Sequence, residues 1–356
     1  MNVTIGGTRK MNEANKERLS WSRRQFLRTI LATPCLCAFA PSAISLAEEV
    51  DPSIVEPSAE EAVKAIDAMY RTSAFNATSE RLDATRTIQR SVDRLRAAEF
   101  DSYFKSSRED AAKEEENHAV LRYLNSSFDK VLNELKETKV DDNSVVFWHV
   151  YNMGYLIKTP TQTIAVDIRH RRAAELLPYI DFLLVTHNHR DHFTSSLCDA
   201  ATLAKIPVVS NFLQNDWIVE ENERTLEIGD STIQLKRVDH NKNLIKFVTT
   251  FEINCGPRSG DCVVYHVGDA CDVNQLTPKE PVDVFIPHLA VGLNVPKAVN
   301  ETIKPKLTLL SHILELGHQI DKWRWSYDYG YNAVRKCAND TVILPVWGEK
   351  IVYSRG

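Results

Sequence analysis

Apolar positions along the chain fall into two regimes, with a change of period near residue 144. Between Ser58 and about residue 139 they recur at helical spacing. Val63, Ile66, Met69 and Tyr70 share one face behind Pro57 and the capping pair Ser58 and Glu61. Leu82, Ile88, Val92, Leu95 and Phe100 mark a second stripe. Ser107 and Asp110 open a third, carried by Leu121, Leu124, Phe128, Val131, Leu132 and Leu135, whose acidic start is expected to be solvated. Three stripes predict three helices that need a partner surface: each other, the rest of the chain, or a second subunit of a homo-oligomer.

From Ser144 the apolar runs shorten and read as strands. VVFWHVY and GYLIKT meet near Met153–Gly154, TIAV ends at Asp167, and DFLLVT looks like a buried strand after a helical AAELLPY. Residues 195–205 look helical. The runs PVVS, TLEIG, TIQLKRV, KFVTTFEIN, CVVYH, VDVFIP and LTLLS follow, with a helix near 297–303 and a last helix–strand pair ending in TVILPVW. This alternation predicts a helical region over 48–143 and a layered α/β domain over 144–356, with functional residues at strand ends. The final few residues carry no signal.

Before the helices stands Ser22-Arg23-Arg24-Gln25-Phe26-Leu27-Arg28, followed by a short, mildly apolar run with two prolines that is a poor membrane span. Ser45-Leu46-Ala47 fits a small-x-small cleavage site. The segment resembles a twin-arginine export signal, matched at each position of S-R-R-x-F-L-R. That resemblance implies removal of residues 1–47 and delivery of an already folded chain, by the twin-arginine machinery, to the periplasm or the medium. The 356 residues carry a net charge of -5, and loss of the signal would take away seven basic and two acidic side chains, leaving -10. Such a balance gives no general polyanion-binding surface, so nucleic acid is not an expected partner. Five cysteines would remain, and Cys255 and Cys262, flanking the turn GPRSGD, could pair across a hairpin or stay as two semi-buried thiols.

The densest polar cluster, His187-Asn188-His189-Arg190-Asp191-His192, follows DFLLVT directly. Three imidazoles and a carboxylate in six residues exceed what ordinary hydrogen bonding in a core would satisfy. Asp239-His240, Gly268-Asp269 and Ser311-His312 close later strand-like runs. Alone, each could be a satisfied buried polar group; together they predict donors converging at one end of a sheet. Imidazole with carboxylate suits zinc, with manganese and iron as alternatives.

These residues resemble the metallo-β-lactamase-fold superfamily, whose H-x-H-x-D-H signature is present as His187, His189, Asp191 and His192. The resemblance spans about residues 144–350 and implies a four-layer αβ/βα sandwich holding two divalent ions. It implies one ion on His187, His189 and His240, a second on Asp191, His192 and His312, and Asp269 bridging both. Asp167 would support the histidine loop, and Asp239 is a second candidate for orienting a ligand histidine. His288 also closes a strand and is the alternative to His312, or a cleft residue. Glu315 and His318 are candidates for substrate or supporting contacts, with a plain helix-surface reading beside them.

The implied activity is a hydrolase that activates a water between two ions to cleave an ester, lactone or phosphodiester of a small molecule. Asp191 is the expected residue for orienting that water and handling its proton. A carboxylate at Asp269 argues against an authentic β-lactamase, and KPKLTLLSH looks more like the lactonase and phosphodiesterase-like branch. A non-hydrolytic member of the fold and a metal-bound scaffold are the alternatives. Arg169, Arg171 and Arg172 could hold an anion or form a solvated basic turn, and WRWSYDYGY could line a cleft wall or form a strand edge.

Overall fold

A computed structural model describes residues 50–289, 292–319, 322–337 and 340–355, so the export segment and its cleavage site lie outside the described residues. The three expected helical stripes become five helices. The first stripe is α1 (Ala59–Arg71), started by Ser58 and Glu61 in a reciprocal cap. The second divides into α2 (Ser79–Val92) and α3 (Ala97–Lys105), so Phe100 belongs to its own helix. The third divides into the polar α4 (Arg108–Asn117) and the apolar α5 (Ala119–Glu137). The break falls at His118, which is extended. There the Glu56 carboxylate accepts the Ala119 N–H at 2.7 Å and Ser91 Oγ accepts the Val120 N–H at 2.9 Å, so distant side chains cap α5.

Two mixed sheets follow. The first has the order β13-β1-β2-β3-β4-β5 and the second β12-β11-β10-β9-β8-β7-β6. In the first sheet these are β1 (Ser144–Tyr151), β2 (Gly154–Lys158), β3 (Thr163–Val166), β4 (Phe182–Leu184), β5 (Val208–Val209) and the last strand, β13 (Lys350–Ser354). The second holds β6 (Glu223–Ile228), β7 (Ser231–Val238), β8 (Val248–Asn254), β9 (Val263–His266), β10 (Val284–Ile286), β11 (Leu307–Leu309) and β12 (Val342–Ile343). Strand β1 shows why both faces must be covered. Val145 and Phe147 enter the core between the sheets, while Val146 and Trp148 face the helices. The same alternation on the second sheet sends Ile233 and Phe251 inward, and Tyr265 and Phe285 outward. The result is the αβ/βα sandwich of the metallo-β-lactamase fold, with helices on both outer faces.

The helical region finds its partner surface within the chain. Tyr70 and Tyr123 donate their hydroxyls to the Trp347 carbonyl at 2.9 and 3.0 Å. Buried Arg81 donates to Glu349 at 2.6 Å and also to the Met69 carbonyl and the Tyr331 hydroxyl. Trp148 Nε1 on β1 reaches Glu134 of α5 at 2.9 Å. Residues 323–331 form no strand edge: after α6 (Ser195–Leu203), Ser326 caps a helix α7 (Tyr327–Lys336). Its Tyr327 and Tyr331 are buried, while Tyr329 stacks on Trp325 at 4.6 Å.

Candidate metal centre

Strands β3, β4, β7, β9 and β11 all end at the same edge of the sandwich, and the polar residues that follow them meet there. The β4 end supplies the loop His187–His192, β7 supplies His240, β9 supplies Asp269 and β11 supplies His312. His187, His189, His240 and Asp269 form one cluster, and Asp191, His192 and His312 another, with the ligand atoms of each cluster within 4.8 Å of one another. Asp269 lies between them. Its Oδ2 is 3.8 Å from His187 Nε2 and 3.4 Å from His240 Nε2, while Oδ1 is 3.3 Å from His192 Nε2. The second cluster closes with Asp191 Oδ2, which is 3.3 Å from His192 Nε2 and 3.6 Å from His312 Nε2.

A buried relay aims these rings. The Thr186 N–H and hydroxyl donate to the two oxygens of Asp167 at 2.8 and 2.7 Å, and His192 Nδ1 donates to Asp167 Oδ2 at 2.8 Å. Having given its proton to Asp167, the Thr186 oxygen accepts from His187 Nδ1 at 2.9 Å. Both histidines therefore keep Nδ1–H on the supporting side and turn Nε2 to the cluster, as metal-ligating imidazoles do. Asp167 takes a left-handed φ of 49° to reach them.

Two supports carry no signal in the sequence, Thr186 of the relay and Asn152. Asn152, in the β1–β2 turn, donates its amide to Asp191 Oδ2 at 3.0 Å, and its carbonyl accepts from the His312 N–H at 3.2 Å. It thereby ties the first histidine loop to the last. Gly268, at φ 49°, packs so closely that a Cβ there would lie 2.8 Å from Thr186. A single polar residue in an apolar run gives no spacing signal, so neither Asn152 nor Thr186 could stand out.

The donor set fits divalent cations. His192 Nε2 and Asp269 Oδ1 are buried, face each other, and have no hydrogen-bond partner. Burial drives His187 well below the ordinary histidine value and His189 down to about 4, so both present neutral lone pairs. Burial would lower His192 as well, but Asp269, Asp191 and Asp167 outweigh it and push that imidazole up. The same contact, working against burial, holds Asp191 and Asp269 well below the usual carboxylate range. A cation entering the cluster would take the place of the His192 proton.

The other candidates part company here. His288 is buried but donates Nε2 to the Ala270 carbonyl at 2.8 Å; it stands outside the ligand clusters and braces the residue after Asp269. Asp239 does not orient a histidine. It lies just past the end of β7, and its oxygens accept from the Lys246 N–H and the Gln275 amide instead. His318 pairs with buried Glu315, and the two join Asp191 as a third donor group beside the second cluster. Arg171 and Arg172 are not cleft residues, since Arg171 donates to the Ser106 and Ser107 carbonyls and Arg172 to Asp129, Asn125 and Glu175. Arg169 stays at the rim, its guanidinium 3.3 Å over the Phe104 ring of α3. Cys255 and Cys262 are neighbouring buried thiols, joined through a backbone N–H to carbonyl bond of 2.9 Å.

The αβ/βα sandwich and the two donor clusters at one edge of it together have the architecture of the metallo-β-lactamase fold. No family model matches it. Among curated proteins it is similar to the UPF0173 metal-dependent hydrolase of Staphylococcus saprophyticus, with 25% identity over 162 residues, 37% of this chain and 68% of that protein. Similar solved structures include Igni18, a metallo hydrolase from Ignicoccus hospitalis, at 14% identity and a TM-score of 0.46, covering 60% of this chain and all of that one. CmlA, a diiron β-hydroxylase from Streptomyces venezuelae, is similar at 15% identity and a TM-score of 0.42, over 61% of this chain and 55% of its own.

Proposed function

We propose that the protein is a binuclear hydrolase, with zinc as its metal, that cleaves an ester, lactone or phosphodiester bond in a small molecule. The observation that carries this reading is the Asp269 carboxylate, whose Oδ2 lies 3.4 Å from His240 Nε2 and 3.7 Å from His312 Nε2 and whose Oδ1 lies 3.3 Å from His192 Nε2, so that it reaches both ligand clusters. His187, His189 and His240 would hold one ion, and Asp191, His192 and His312 the other. Two divalent ions supply a water acidic enough to act near neutral pH and positive charge for the oxyanion that develops. Asp191, held by Asn152 at 3.0 Å, orients the attacking water and takes its proton. Phe247, 5.0 Å from the His189 ring and 5.5 Å from the His187 ring, shields the first cluster from bulk water. The S-R-R-x-F-L-R segment supports export by the twin-arginine machinery, which would put this chemistry in the periplasm or the medium. A panel of chromogenic esters, lactones and phosphodiesters, run on metal-replete protein and on Asp191→Ala, tests the reading. Turnover of one class that Asp191→Ala abolishes is expected. No turnover of any class at full metal occupancy would refute it.

A further inference from the structure

We propose that Arg169 is the anion-recognition residue of this cleft, so that the substrate carries a carboxylate or phosphodiester oxygen anion beside the bond to be cleaved. The inference rests on the hydrolase reading and narrows its substrate class.

Arg169 stands two residues beyond Asp167, and its Nη1 donates to the carbonyl of Phe193, next to His192, over a long 3.5 Å. Among the described residues it has no carboxylate partner, although Glu315, Asp191 and Asp101 are all near enough to act on its charge. Each of those carboxylates is already engaged. Asp101 binds Arg190 at 2.6 Å. Glu315 accepts from the Tyr151 hydroxyl and the Gly317 N–H, each at 3.0 Å. Asp191 is held by Asn152. The neighbouring guanidiniums are directed elsewhere: Arg171 donates through Nη2 to carbonyls, Arg172 to Asp129 and Glu175, and buried Arg324 to the Val92 and Leu316 carbonyls.

Apart from the long bond to Phe193, the Arg169 N–H groups have no protein acceptor and, unlike Arg171 Nε, are open to water, which an arriving anion can displace. The Phe104 ring beneath the guanidinium fixes the plane of the fork. A fixed planar fork suits an oxygen anion, which it can bind through two parallel hydrogen bonds. The charge balance does not oppose an anion, because two divalent ions would bring four positive charges against Asp167, Asp191, Asp269 and Glu315, and Arg169 adds a fifth. Phe104 and Asp101 both lie on α3, so the helical region supplies this wall of the cleft.

The test uses metal-loaded protein and inorganic phosphate as the probe. Phosphate affinity, measured by calorimetry, should fall tenfold or more in Arg169→Gln and less in Arg169→Lys, at equal metal content and melting midpoint. In parallel, Arg169→Gln should raise KM for bis-p-nitrophenyl phosphate, or for an ester bearing a carboxylate, while leaving KM for neutral p-nitrophenyl acetate unchanged. Which of the two anionic probes suffers more separates a phosphodiester from a carboxylate substrate. Unchanged phosphate affinity, or equal losses on neutral and anionic esters, would overturn the proposal. If Arg169→Gln does not fold, Arg169→Lys carries the same comparison. Binding needs no turnover, so a protein that loses phosphate affinity yet hydrolyses nothing keeps the anion site and removes only the hydrolase reading.

Discussion

Gly268→Ala probes the support of the site without touching a ligand. Gly268 has φ 49°, and an added Cβ would lie 2.8 Å from both Cβ and Oγ1 of Thr186 and 2.9 Å from its Cγ2. A left-handed alanine costs about 1–3 kcal/mol, and overpacking in a buried site costs roughly the same again. Thr186 cannot move away freely, since its hydroxyl bridges Asp167 and His187 and its carbonyl accepts the Thr249 N–H at 2.8 Å. The expected loss is about 2–5 kcal/mol of stability. Metal affinity should fall with it, by about 10–100-fold, because both supported histidines are disturbed. Gly292→Ala is the control: its φ is 91° but nothing lies within 4 Å of the added Cβ, so it carries strain without the clash. Thermal unfolding and a competitive metal titration on wild type and both variants would read the two effects apart. A Gly268→Ala protein with wild-type melting and wild-type metal affinity would refute the reasoning.

Three further outcomes are expected. Asp167→Asn has one oxygen where two are needed, Oδ1 for the Thr186 N–H and Oδ2 for the Thr186 hydroxyl and His192, so metal affinity should drop about 10–100-fold in a metal titration, at the His192 site directly and at the His187 site through Thr186. Arg81→Met leaves Glu349 buried beside it without its cation, which should cost about 3–5 kcal/mol in denaturant unfolding and leave metal content unchanged; Glu349→Gln added to it should recover part of the loss. Burial raises the Asp283 carboxyl, but Lys306, the Val263 N–H and Tyr353 outweigh it and hold the group below its ordinary 3.8. The stability it contributes is thus present above 3.8 and lost as the pH falls through the lowered value. Asp283→Asn should therefore be less stable than wild type at pH 7, and the gap should close in acid; a gap that persists would count against this pairing.

The sequence was most readable where physical signals were dense. Four polar clusters, each directly after an apolar run, pointed to strand ends, and the fold brings those residues together. The α/β layering was readable from the change of period at Ser144. Single contacts were not readable. Nothing local shows that Glu56 and Ser91 would cap α5 and split the third stripe at His118. Strand β13 was missed because KIVYS stands alone at the chain end, and only its pairing with β1 makes it a strand. Asp239 stands next to His240 in the sequence, but the loop that follows β7 takes up its carboxylate through Lys246 and Gln275, which no local pattern shows. Arg169, Arg171 and Arg172 looked equivalent, and the fold separates them through partners on α3, α5 and the turn before α4.

The central claim is that Asp269 stands between two cations. Anomalous diffraction from crystals grown with zinc, with metal content measured on the same protein, tests it most directly. Two peaks per chain are expected, one among His187, His189 and His240 and one among Asp191, His192 and His312, on opposite sides of the Asp269 carboxylate. A lone peak, or a second ion seated on Glu315 and His318 and away from His192, would contradict the account.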